Sequence, residues 1–153
     1  DIITSDLLAP MTHGFFGRNG GASSGVFAGL NCGYGSSDQH EAVTINRDRV
    51  AVALGVAADH LVGVHQIHSP DVVTVNAPLA EPVKADALVT RTKGIALSVL
   101  TADCQPVLFA DANAGVIGAA HAGWKGAFKG IINRVIKFMI KKGCRLENCS
   151  GLI

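Results

Sequence analysis

Hydrophobic residues follow two rhythms along this chain. Through its middle they come in short, nearly unbroken apolar runs: Leu61–Val64, Val72–Val75, Ala87–Val89, Ile95–Leu100, Val107–Ala110 and Gly115–Ala120. Runs of this length predict strands, and the lack of polar alternation predicts strands buried on both faces, as in a sheet covered by helices. His13–Arg18 reads as a further short strand. It precedes two turn-rich loops, Asn19–Gly25 and Leu30–Ser37. The closing run Ser150–Ile153 reads as a strand beginning.

The second rhythm is helical. Asp38 followed by Glu41 is a variant of the capping box, and Gly55 suits the residue just past a helix end. A helix is therefore expected from Asp38 to about Leu54. Val43, Val50 and Leu54 share one of its faces, with Ala51 at the edge and Arg47 in the middle. A guanidinium on an apolar stripe requires a partner. It is either a structural ion pair or snorkelling side chain, or an anion clamp facing a pocket. A second helix is expected from about Trp124 to Lys142, closed by Gly143. Phe128, Ile131, Ile132, Val135, Ile136, Met139 and Ile140 recur at helical spacing, and Lys129, Arg134, Lys137 and Lys141 line the opposite face. The pattern as a whole predicts a single α/β domain over residues 1–153, a mixed buried sheet flanked by helices.

Composition narrows the function. The 153 residues are 48% hydrophobic and 16% charged, which suits one folded domain with a core. A formal net charge of +1 provides no footprint for nucleic acid and no polybasic patch for a membrane. The apolar runs are too short to span a bilayer, and no basic-then-apolar leader opens the chain, so a cytoplasmic protein is expected. Cys32, Cys104, Cys144 and Cys149 contain no C-x-x-C pair, against a zinc ribbon or a thioredoxin-type motif. Cys144 and Cys149 read as an incidental thiol pair.

Three segments place a metal-type ligand beside a predicted buried strand. His68 lies in Val64-His-Gln-Ile-His-Ser-Pro-Asp71, Cys104 in Thr101-Ala-Asp-Cys-Gln-Pro106, and His121 in Ala119-Ala-His-Ala-Gly-Trp-Lys-Gly126. Loops at strand ends are where α/β folds build sites. Two imidazoles and a thiolate suit zinc, with copper also compatible. Three protein ligands leave the fourth tetrahedral position open, the arrangement of catalytic sites. His65 competes with His68, although on an extended strand the two point to opposite faces. Cys104 and His121 also compose a nucleophilic pair, which would make the protein a cysteine hydrolase or acyltransferase. In a third reading Cys104 is an inert buried thiol of a non-catalytic binding module. The zinc deaminase pattern H-x-E…P-C-x-x-C and the H-E-x-x-H pattern are both missing.

The run Thr12-His-Gly-Phe-Phe-Gly-Arg-Asn-Gly-Gly-Ala-Ser23 resembles the opening of the YfiH-like proteins, also described as polyphenol oxidoreductase laccases and as purine nucleoside phosphorylases. So do Gly29-Leu-Asn-Cys-Gly33, Asn46-Arg47, Gln66-Ile-His68, Ala85-Asp-Ala87, Thr101-Ala-Asp-Cys-Gln-Pro106 and Ala120-His-Ala-Gly-Trp-Lys-Gly126. The resemblance is collinear over almost the whole chain. It implies a layered α/β fold similar to a bacterial toxin's cysteine-hydrolase domain, and a chain that continues past Ile153. It implies zinc held by His68, Cys104 and His121, with copper in an older description that makes these proteins laccases. The implied substrates are phosphate and a purine nucleoside (adenosine, inosine, guanosine or 5′-methylthioadenosine), with adenosine deamination as a second activity. Arg47 resembles the family's anion-binding Arg, and Asn31 resembles its loop Asn near the nucleoside. Lys125 stands where the family usually has Arg, which keeps the charge and loses the planar fork.

Overall fold

A computed structural model describes residues 1–153. Its centre is a five-stranded mixed sheet. The strands are β4 (Val72–Thr74), β5 (Ala87–Thr90), β8 (Val116–Ala122), β7 (Gln105–Asp111) and β9 (Ser150–Leu152), in that spatial order. β4 and β5 run parallel, and every other neighbour is antiparallel. Two small pairs complete the strands: β1 (Ile2–Ile3) against β2 (Phe15–Phe16), and β3 (Leu61–Val62) parallel to β6 (Ala96–Leu97). The apolar runs thus mark the strands as expected, except that β1 (Ile2–Ile3) lies outside them and β3 and β6 keep only two residues each of the longer runs that contain them.

The unbroken apolar runs have the predicted cause. On β5 every residue is buried. Ala87 and Val89 face a core shared with Val107, Phe109, Val116, Ile131, Val135 and Met139. Leu88, between them, points to the other face and joins Val62, Val75 and Ile95. One face of the sheet is therefore covered by α3 (Ile131–Lys141) and the other by the β3–β6 pair. Behind that pair lies α1 (His40–Leu54), whose Val50 and Ala51 pack on Leu61. α3 lies close against β8, because a Cβ on Gly118 would come within 3.0 Å of Val135 Cγ1 and 3.2 Å of Met139 Sδ.

Both helices differ in detail from expectation. α1 begins at His40, and Asp38 caps no turn of it directly: its carboxylate accepts from Gln39 N–H and Asn31 Nδ2 instead. Its far end is as read. Gly55 sits in the left-handed region at φ 73°, with Gly55 N–H on Val52 O and Val56 N–H on Ala51 O, a Schellman pair. The buried stripe of α1 holds Asn46 at its centre, and Arg47 is only half-buried beside it. The expected Trp124–Lys142 helix is two helices, α2 (Trp124–Phe128) and α3. Gly130 breaks it at φ 82°, a conformation that β-carbon sterics make costly for other residues. The break takes Phe128 off the shared apolar face, and it stands 88% exposed.

Asp111 closes the β7–β8 hairpin. Its carboxylate accepts from Ala114 N–H at 3.0 Å and from Arg145 N–H at 2.9 Å, tying the hairpin to the segment that leads into β9. Those backbone hydrogen bonds hold its carboxyl below the ordinary carboxylate value, against the opposing effect of burial. The stability it contributes is thus complete above the unfolded carboxylate pKa of about 3.9 and is lost as pH falls through the lowered folded value. Asp111→Asn should therefore lower the melting temperature at neutral pH and flatten its decline in acid, as followed by thermal unfolding across a pH series. Next to it, burial first and then the nearby Cys149 push the Cys144 thiol up to about 12. Cys144 is a core thiol that stays protonated at neutral pH.

Candidate functional site

His68, Cys104 and His121 come together at one end of the central sheet. Cys104 immediately precedes β7, His121 is the penultimate residue of β8, and His68 lies in the turn that leads to β4. The β7–β8 register sets Pro106 opposite His121, which brings the Cys104 turn level with the imidazole. His121 lies within the strand, where the sequence placed it at the passage from strand to helix. One potential ligand atom from each of the three residues lies within 4.8 Å of the others. Cys104 Sγ is 4.0 Å from His68 Nε2, and the two imidazoles meet edge to face with centroids 4.9 Å apart.

These donors fit a metal. Metal–nitrogen and metal–sulfur bonds of about 2.0–2.3 Å place tetrahedral ligand atoms roughly 3.5 Å apart, so the trio needs to contract by only about 1 Å. The neighbouring backbone leaves room for this. A Cβ on Gly123 would meet His68 Cδ2 at 3.0 Å, Cys104 Sγ at 3.2 Å and His121 Cε1 at 3.6 Å. Gly123 has φ −65° and ψ 159°, which any residue adopts, so its value here is space. His65 stays outside the group. Its backbone bridges to Lys84, and its side chain is exposed on another part of the loop.

Two residues with no role assigned from the sequence support the trio. Asp86, fully buried just ahead of β5, accepts hydrogen bonds from the backbone N–H groups of Ile67 (3.1 Å), His68 (3.0 Å) and Ser69 (2.6 Å). It also takes the Ser69 hydroxyl at 2.9 Å and His121 Nδ1 at 3.0 Å. Burial alone would raise its carboxyl; the hydrogen bonds from Ser69, His121 and Ile67 together outweigh it and hold the group below its ordinary value. A signal was available: a carboxylate between two alanines at the head of an apolar strand is a buried charge in need of partners. Gln66 is the second. Its amide donates to Leu100 O and accepts from Leu100 N–H, both at 2.7 Å, and so links the His68 loop to the segment leading to Cys104.

The trio opens on a cavity of about 700 Å³ that also includes Asn31, Arg47 and Gln66 in its wall. Its apolar side includes Phe16, Leu97 and Val99. Arg47 forms no ion pair; carbonyl oxygens and an aromatic ring take its place. Its guanidinium donates to Leu61 O at 3.0 Å and Cys32 O at 3.4 Å, and lies over the Tyr34 ring at 5.4 Å. Two of its five N–H donors are thus engaged with carbonyls on the cavity wall. Asn31 reaches the same wall, but its amide is committed to its own loop, donating to Ser36 Oγ and Asp38 and accepting from Gly33 N–H. Beneath that loop, the buried Asn46 accepts from Ala22 N–H and donates to Ser23 Oγ, Gly29 O and Asn31 O. Lys125 is exposed, its Nζ 5.6 Å from the Trp124 ring centroid. No helix is long and apolar enough to cross a membrane.

The chain is similar in sequence and fold to known proteins. A family model described as multi-copper polyphenol oxidoreductase laccase matches residues 12–153. A Deinococcus radiodurans protein named purine nucleoside phosphorylase is 48% identical over 141 residues, covering 92% of this chain and 54% of its own. A mouse protein of the same designation is 33% identical over 152 residues, covering 96% of this chain and 35% of its own. Among solved structures, YlmD from Geobacillus stearothermophilus superimposes with a TM-score of 0.83 at 30% identity, over 94% of this chain and 58% of its own. A hypothetical protein YfiH from Bacillus licheniformis gives 0.83 at 31% identity, over 90% and 55%. The chain spans about half the length of the bacterial relatives it matches. With the family model matched over nearly all of its length and the solved YfiH protein superimposing over 90% of it, the chain belongs to the YfiH-like family of multi-copper polyphenol oxidoreductase laccases.

Proposed function

We propose that His68, Cys104 and His121 hold a single zinc ion, and that the protein uses this centre to cleave purine nucleosides with phosphate. The observation that carries the reading is the convergence of the three donors on one end of a cavity sized for a small ligand. Relatives named purine nucleoside phosphorylase, up to 48% identical, supply the substrate class. Adenosine, inosine, guanosine and 5′-methylthioadenosine are the proposed nucleosides, with adenosine deamination as a second activity. Zinc at the trio would supply Lewis-acid chemistry and lower the pKa of a water in its open position.

The remaining groups have roles consistent with their placement. The apolar wall around Phe16, Leu97 and Val99 suits a purine ring and excludes water from it. Arg47, with N–H groups beyond the two given to carbonyls, is the proposed contact for phosphate or the polar side of the ribose. Asn31 acts through its loop, shaping the wall near the nucleoside.

Two other readings use the same side chains. A copper phenol oxidase of the laccase type requires several coppers, whereas this chain assembles one His/Cys trio. Cys104, His121 and Asp86 also compose a thiol–imidazole–carboxylate array, but the second imidazole beside the thiol favours a metal. Zinc-loaded protein incubated with adenosine and inorganic phosphate should release adenine and ribose 1-phosphate, with inosine and ammonia as the products of deamination. Failure of the metal-loaded protein to turn over any purine nucleoside would overturn the proposal. Metal stoichiometry near one per chain separates it from both alternatives.

A further inference from the structure

We infer that Asp86 is the positioning residue that assembles the ligand trio, selecting the ring tautomer of His121 and holding the backbone of His68 in the conformation that aims its side chain at Cys104. The inference rests on reading His68, Cys104 and His121 as metal ligands.

The two ligand histidines come from unrelated segments, one from a loop and one from the middle strand of the sheet. A single buried carboxylate joins them. Its Oδ2 accepts both His68 N–H and His121 Nδ1, each at 3.0 Å, while Oδ1 takes Ile67 N–H, Ser69 N–H and the Ser69 hydroxyl. Asp86 is itself fixed on both sides by the sheet: its N–H donates to Asp71 O at 3.0 Å and its carbonyl accepts His121 N–H at 2.7 Å. The carboxylate therefore has no freedom to follow the ligands; the ligands follow it.

Two consequences are chemical. An ionised carboxylate only accepts, so the His121 nitrogen facing it carries the proton. That leaves Nε2 with its lone pair toward Cys104 and His68, the form a metal requires. His68 is the only non-glycine residue with positive φ, at 58°. The left-handed backbone is uncommon for side chains with a Cβ. Here it turns three successive N–H groups inward, and a concave run of N–H groups is an anion nest. Asp86 fills the nest and so holds the turn that separates His68 from the outward-facing His65.

Asp86→Asn tests this with almost no change in volume. An amide has one accepting oxygen. Either its NH₂ faces His121 and stabilises the opposite tautomer, with the proton on Nε2, or it faces Ile67 and Ser69 and disrupts the nest. The first measurement is nitrogen-15 NMR of the imidazole rings in metal-free wild-type protein, under alkaline conditions where imidazole is neutral. His121 should read as the Nδ1–H tautomer, and a reading of Nε2–H overturns the inference whether or not the protein binds zinc. The second is zinc affinity by competition with a chromophoric chelator. Asp86→Asn should bind about 10–100-fold more weakly than wild type. Ser69→Ala, which keeps the carboxylate and the tautomer, should stay within a few-fold. Equal affinity in wild type and folded Asp86→Asn overturns the inference. A merely structural role would lower the melting temperature without moving the tautomer or the affinity. Should Asp86→Asn not fold, the wild-type tautomer decides. Absence of zinc binding in wild type together with the Nδ1–H tautomer would count against the metal reading and leave the positioning by Asp86 standing.

Discussion

Gly123→Val is expected to weaken zinc binding by about 100-fold or more in a chain that still folds. The glycine is buried at the point where β8 passes into α2, and its backbone angles suit any residue. The substitution therefore imposes no conformational penalty on the backbone. What it adds is volume in the place where the three ligands converge. The first carbon alone would come within 3.0 Å of the His68 ring and 3.2 Å of Cys104 Sγ, closer than unstrained carbon and sulfur contacts allow. His121 is held in the sheet and by Asp86, so it cannot yield. His68, on an exposed loop, is the ligand that moves, and it moves away from the metal position. Gly123→Ala should weaken zinc by about tenfold, and Gly123→Val, with two further methyl groups, by about 100-fold or more, the upper range for lost support around a metal site. The check is equilibrium zinc competition beside thermal unfolding of the metal-free protein. Wild-type affinity in Gly123→Val would show that the space beside the ligands is unimportant.

Asn46→Ala should produce the largest loss of stability of any single polar substitution in α1. The side chain is wholly buried and uses both its oxygen and its nitrogen, with partners at Ala22 N–H (2.7 Å), Ser23 Oγ (2.9 Å), Gly29 O (3.3 Å) and Asn31 O (2.8 Å). Truncation leaves Ala22 N–H and Asn31 O without that partner around a buried gap, while Gly29 O keeps the hydrogen bond from Ser23 N–H. Each such orphan costs about 1–3 kcal/mol, and partial relaxation of the loop brings the sum to about 3–5 kcal/mol. For a domain of this size that corresponds to a fall of roughly 10 °C in melting temperature. Asn46→Asp should be worse still, because a carboxylate would then face two carbonyl oxygens. The consequence extends to the cavity, since the loop held by Asn46 carries Asn31 and Cys32 in the cavity wall. A drop under about 2 °C in Asn46→Ala would remove this clamp from the account of the fold.

The residues differ in how far sequence alone reveals them. The strands were legible because the same physics that buries a strand on both faces writes an uninterrupted apolar run, as on β5. The end of α1 was legible because a left-handed Gly55 is a local requirement. The candidate trio was legible as residue types beside strand ends, and the family to which the chain belongs was legible in motifs such as Ala120-His-Ala-Gly-Trp-Lys-Gly126. The break at Gly130 was not, since apolar spacing continues across it from Phe128 to Ile131 and only packing decides that the two turns diverge.

By itself, then, the chain's order of residues determined most of the segments that become strands, where α1 stops, and which three side chains have the chemistry of a metal site. These depend on local propensity and on donor type, which neighbours in sequence already express. Only the tertiary structure decided that Asn46, not Arg47, is the buried polar residue of α1, that Asp86 joins His68 and His121, and that the space beside the trio comes from the missing Cβ of Gly123. Each of those depends on contacts between segments far apart in the chain. A hydrogen bond or an empty space across such a distance leaves no periodicity in sequence, because it is set by the register of β5, β7 and β8 and by the loops packed over their ends.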